Sequence, residues 1–285
     1  MALPVVSTFS SAGLNSAAAI VLTKPTGLAV GDLMVAYITG ILTAHTLTTP
    51  TGWTLQHTII PSSQTTFACF TKVATSGDVA ASNFSFARST TGGIGGMIIR
   101  VTDVASLSPV AYQALTTNTT SSATKAFTTA GTPLSVNSVV LVCFSINDFS
   151  GTANTYTSTP SKTFTEVDER TWAVGGVDPV ISAASANAGT VAEITQFVVT
   201  LSASTGVNST GSMLIISGAF DQAGTNALLS VSPTQFAQSA NAGTTGTNTL
   251  LAVSPTMLDQ SGRGETPTVW TPEVKTPATW TPEIK

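Results

Sequence analysis

Two histidines are the only imidazoles in this 285-residue chain, and they set the first limit on its chemistry. A serine or cysteine nucleophile needs a base within hydrogen-bond reach, most often histidine. His57 falls in the run WTLQHTII, where simple alternation puts it on one face with Trp53, Leu55 and Ile59. That placement reads as a core or sheet-edge histidine. His45 falls in a Thr-rich stretch, LTAHTLTTP, and reads as a solvated loop residue. No Gly-x-Ser-x-Gly elbow, phosphate-binding loop or His-Glu-x-x-His is present. The glycine-rich TGGIGG (Thr91–Gly96) precedes a strand pattern, so it lacks the helix N-terminus that attracts phosphate.

Carboxylates offer one cluster, Glu166, Asp168 and Glu169 with Arg170 beside them. In a straight strand Glu166 and Asp168 share a face, where they could ligate Ca²⁺ through hard oxygens or act as the acid and base of a glycosidase. The simpler reading is a solvated strand end with an Asp/Arg pair, and no cofactor is expected. Asp32, in a Gly-Asp turn, reads as a turn residue. Among the aromatics, Trp53 reads as core. Trp172, beside the charge cluster and before AVGGVDP, is the ring that an exposed position would offer to a glycan.

These residues must be positioned by strands. Charged residues make up 8% of the chain and net charge is −4, with ten Lys+Arg against fourteen Asp+Glu, which excludes a basic nucleic-acid binder. A charge-laced helical bundle is excluded on the same grounds. Short runs rich in Val, Ile, Thr and Phe succeed one another to about residue 220, separated by Gly, Ser, Asn and Pro clusters. Leu33–Thr39 and Ser138–Ile146 are apolar throughout, as central strands covered on both faces are. Many strands with no helical period between them predict an all-β protein, an antiparallel β-sandwich of jelly-roll-like form with an extended C-terminal repeat arm. Cys69 and Cys143 both lie in apolar runs and read as buried thiols. The N-terminal MALPVVSTFSSAG lacks the basic and apolar regions of a secretion signal, and no stretch approaches a membrane span.

Past residue 220 the pattern changes. GTNALLSVSPT begins at Gly224 and GTNTLLAVSPT at Gly246, nine of eleven positions being identical. TPTVWTPEVK (Thr266–Lys275) is followed directly by TPATWTPEIK (Thr276–Lys285). A proline at every fifth position of these decapeptides forbids helix and central strand, leaving extended or polyproline-like segments. The organisation expected is a body over 1–220, a repeat-containing linker or small subdomain over 221–265, and a tail over 266–285. Each decapeptide presents one tryptophan and a following proline, Trp270 and Pro272, then Trp280 and Pro282. These are the expected partner-binding residues, a lone ring on an extended segment being suited to a pocket on a neighbour.

GDLMVAYI, PTGWTLQH, FTKVATSGD, NFSF, GGMIIRVTDV and SVVLVCF, in this order, resemble a β-sandwich module that recurs in virion proteins of tailed bacteriophages and prophages. The short Trp-Thr-Pro repeats also resemble tails of phage structural proteins. The resemblance implies a non-enzymatic component of the particle, a capsid decoration, head fibre or tail accessory. It would be located in the virion and would contact other virion subunits and copies of itself, but neither nucleic acid nor membrane. The alternative it leaves open is a receptor- or glycan-binding tail-fibre module. It carries no catalytic residues across.

Overall fold

The structure is a computed structural model that describes residues 3–41, 45–62, 65–106, 108–119, 122–131, 137–146, 153–175, 177–189, 193–202 and 209–219. By its contacts the chain divides between Asn226 and Ala227, and the second unit lies wholly outside the described residues. The expected arm therefore lies outside them too, with both repeats and Trp270, Pro272, Trp280 and Pro282.

The described residues form an all-β, antiparallel sandwich. Its first sheet uses β1 (Val5–Thr23), β2 (Leu33–Ile41), β3 (Thr54–Ser62), β4 (Thr65–Val73) and β5 (Asn83–Thr102), in the order β1-β5-β2-β4-β3. The second uses β6 (Val110–Asn118), β8 (Ser138–Ile146), β10 (Thr165–Thr171), β11 (Val180–Asn187) and β13 (Ser209–Ser217), in the order β10-β11-β8-β13-β6. The third joins β7 (Thr124–Gly131), β12 (Ile194–Leu201) and β9 (Ala153–Thr159) in the order β7-β12-β9.

The two apolar runs are the middle strands of the two larger sheets, and all nine residues of each are buried. Their alternate residues serve different cores. Leu33, Val35 and Tyr37 meet Val139, Leu141 and Cys143 in a core between the two large sheets. Val140, Val142 and Phe144 face the third sheet, with Phe127, Phe197 and Val199. Met34, Ala36 and Ile38 face outward from the first sheet, yet they too are buried. Their cover is the far half of the β1–β5 ribbon. Pairing slips between Leu14 and Ala17 and again between Ala17 and Ala19, and beyond the slips Ile20, Leu22, Phe84 and Phe86 join this core. Breaks of this kind bend a strand pair sharply. At roughly 1.5–3 kcal/mol for each large apolar side chain removed from water, these layers supply the driving force for the fold.

Among the described residues one helix interrupts the strands, α1 (Ser76–Ala80). Thr75 caps it: its hydroxyl accepts from the Asp78 amide at 3.4 Å while Asp78 Oδ2 accepts from the Thr75 amide at 2.9 Å. Lys72 Nζ lies 2.6 Å from Asp78 Oδ1. Burial opposes the charged carboxylate, but these donors hold Asp78 below its ordinary range. Asp78→Ala removes both the reciprocal cap and the ion pair, and is expected to cost about 1–2 kcal/mol in urea unfolding. An unchanged midpoint would show that the turn contributes nothing.

Candidate functional site

The strands that carry the candidate residues are β3 and β10, the outer strands on one side of the two large sheets, and each has a bulge. On β3, Leu55 pairs with Phe70 and His57 with Cys69, so two residues on β3 answer one on β4. On β10, Glu166 pairs with Ala184 and Asp168 with Ala183. Cross-strand partners share a face, so each bulge reverses the alternation.

Two expectations are corrected by this. Leu55 and His57 do not share a face: Leu55 follows Phe70 toward the outer core, while His57 follows Cys69 toward the core between the sheets. Glu166 and Asp168 are likewise on opposite faces, so the carboxylate pair is not assembled. Among the described residues, no group of three or more His, Cys, Asp or Glu is placed to hold a metal ion. Burial raises both carboxyls above their ordinary values, and Asp168 adds repulsion at Glu166. Asp168 bonds Ser11 of β1, across the sheet interface, and the Glu169 amide, while its Oδ2 is buried without a hydrogen-bond partner.

His57 stands in an arrangement that spacing alone did not reveal. Its Nε2 lies 2.8 Å from Ser212 Oγ and its Nδ1 lies 3.2 Å from Gln113 Oε1. A neutral ring donating from Nδ1 to Gln113 and accepting at Nε2 from the Ser212 hydroxyl satisfies both bonds. This is the order of a nucleophile, base and orienting group. Its surroundings deny it that chemistry. Ser212 is 0% exposed, so no substrate reaches its oxygen. The orienting group is a neutral amide, and burial pushes His57 down to about 4, too weak a base near neutrality. The row ties β3 to β6 and β13. No sequence signal links the three positions, since β3 and β13 meet only in the folded chain.

His45 is not solvated. It is 4% exposed and its Nδ1 lies 3.1 Å from the Arg88 guanidinium, which donates to the Gly93 carbonyl at 2.5 Å. Thr66 donates to the His45 carbonyl at 2.9 Å. The imidazole braces a buried arginine. Asp32 keeps its expected turn role, accepting from the Ala29 amide at 2.7 Å, and also pairs with Arg100 Nε at 2.6 Å. Cys69 and Cys143 are free and buried, and burial pushes both thiols up, away from reactivity.

Trp172 requires the largest correction. It is 7% exposed and belongs to the core between the sheets, so it offers no face to a sugar. Its chain turns there through a tight hairpin, Val174 and Val177 exchanging backbone bonds at 2.8 and 3.0 Å. The ring lies flat against Gly13 and Gly95, where a Cβ would come within 2.6 and 2.3 Å of its carbons. A groove of about 510 Å³ opens between the start of β1 and β8, β10 and β11, at the other end of β10 from Trp172, lined by uncharged residues such as Val6, Val139, Thr165 and Ser185.

Comparison of the chain with protein-family models, with curated proteins and with solved structures finds no match.

Proposed function

We propose that the protein is a non-enzymatic structural component of a tailed-phage virion, a sandwich body held to neighbouring subunits by its C-terminal repeat arm. The observation that carries this reading is the tandem decapeptide, Trp270-Thr-Pro272 repeated as Trp280-Thr-Pro282. Two copies of one extended, proline-stiffened unit suit repeated sites on an assembly, each contact weak and the pair strengthened by effective concentration. The body agrees with such a role. Among the described residues, several chemistry-bearing side chains are taken up by structure: His57 by Gln113 and Ser212, His45 by Arg88, Asp32 by Arg100 and Asp78 by Lys72.

Deleting Thr266–Lys285 is expected to leave the unfolding midpoint of the body unchanged and to abolish co-sedimentation with particles. Trp270→Ala and Trp280→Ala singly are expected to weaken association, and together to match the deletion. Incorporation of the truncated chain at the normal level would overturn the reading.

A further inference from the structure

The two large sheets have the same strand plan. The order β1-β5-β2-β4-β3 becomes β6-β13-β8-β11-β10 when each strand is replaced by its counterpart in chain order. The registers agree in detail. On one side, Val6 pairs with Val101 and Phe9 with Ile99, three residues of β1 against two of β5. Val110 pairs with Ile216 and Gln113 with Leu214, three residues of β6 against two of β13. On the other side, the bulge at Leu55/His57 against Phe70/Cys69 is repeated at Glu166/Asp168 against Ala184/Ala183. Followed inward through the ladders, the first bulge makes Leu33 and Val35 the counterparts of Val139 and Leu141. The second makes Tyr37 the counterpart of Cys143. Both give one alignment of the central strands.

Other features fall into that alignment. Trp53 and Phe164, each just before an outer strand, fill the two outer cores. Gly96 and Gly211 are counterparts, and at each a Cβ would meet side chains of the outer core within 2.6 Å. The long β1 and β5 correspond to β6 with β7 and to β13 with β12, strands that are continuous in one half and broken in the other.

We infer that residues 3–104 and 109–219 are two copies of one module, packed through the same face about a pseudo-twofold axis, so that the core between the sheets is a homodimer interface held within one chain. An isologous interface brings equivalent residues together on its axis, and they meet here at two places. Thr39 and Ser145 are counterparts, both buried, and Ser145 donates to Thr39 Oγ1 at 3.0 Å. At the other end Val104 bridges Gly218, and Ala219 donates to the Asp103 carbonyl at 2.8 Å, where Asp103 and Val104 are the counterparts of Gly218 and Ala219. Off the axis the elements meet reciprocally, with the contact shifted by two residues on the second strand: β3 reaches β6 through His57 and Gln113, and β10 reaches β1 through Asp168, the counterpart of His57, and Ser11.

The copies have since become unequal. The first contributes Tyr37, Phe67 and Met97 where the second has Cys143, Ile181 and Ser212. The Tyr37 hydroxyl faces Ser212 and Cys69. Large against small fills the interface once, whereas two first copies would overpack it and two second copies would leave voids. The face is thus built for one partner, the other copy in the same chain, and this inference stands independently of the virion reading.

Exchanging the unequal pairs in the full chain tests it. Y37C with M97S opens a void and C143Y with S212M overpacks, so each pair alone is expected to lower the melting temperature by roughly 10 °C. All four changes together restore the filling with its sense reversed and are expected to melt above both. A fourfold variant melting at or below the lower of the two would overturn the inference. Should either pair fail to fold, T39C with S145C gives a milder reading. The two thiols are expected to oxidise to an intramolecular disulfide with no loss of melting temperature, and failure to cross-link would show that equivalent positions do not meet.

Discussion

Replacing Trp172 with alanine is expected to destabilise the body by about 3–5 kcal/mol, the range for deleting a buried aromatic ring. In a domain of this size that lowers the melting temperature by about 10 °C or more. The ring cannot be compensated by collapse, because its floor is Gly13 and Gly95, which have no side chains to extend into the space, and Val174 is already seated against Gly93. Trp172→Phe is expected to cost less than the alanine change: it keeps part of the ring and removes an indole Nε1–H that is buried without a hydrogen-bond partner. Thermal unfolding of the two variants measures this, and a shift below about 3 °C for the alanine variant would show that the ring contributes little to the core. The same variant bears on glycan recognition. With 7% of its surface exposed, Trp172 has no saccharide-binding face to lose.

What the sequence discloses and what it conceals have physical causes that can be named. β2 and β8 were legible because a strand covered on both faces is apolar at every position, and both are the middle strands of five. β1, β6, β7 and β9 were not, since runs such as FSSAGLNSAAA and ANTYTST consist mostly of Ser, Thr and Ala. Those side chains are too small for an alternation of polarity to show, and pairing to a neighbour decides their structure. Two of the face assignments failed for one reason. A bulge changes the face of every side chain beyond it and leaves no mark in the local pattern, so the faces assigned to His57 and Asp168 from simple alternation were reversed. The burial of Trp172 depends on glycines far from it in sequence. The duplication was hidden because it survives in register and bulge position rather than in identity: Gly96-Met-Ile-Ile against Gly211-Ser-Met-Leu is among its closest traces.

Acid should weaken the protein through His57. Burial holds the folded ring at about 4 against an ordinary 6.5, and the Gln113 bond offsets this only in part. Near pH 7.5 the ring is neutral folded and unfolded, so its titration contributes nothing there. As the pH falls from 6.5 the unfolded chain binds a proton that the folded one refuses, and stability drops until about pH 4, below which the loss is constant. The full shift amounts to about 3 kcal/mol. Other groups titrate in the same range with either sign. Glu166 and Asp168, raised by burial, gain in acid, whereas Asp78, held low by Lys72 and Thr75, loses. The His57 contribution is therefore read as a difference. His57→Gln keeps a polar group toward Ser212 and cannot titrate, so the wild type should lead it most at pH 7.5 and lose up to about 3 kcal/mol of that lead by pH 4. Urea unfolding at half-unit intervals resolves the trend. Parallel profiles for the two proteins would mean that the ring is solvated when folded, and would remove the Ser212–His57–Gln113 row from the interface it joins.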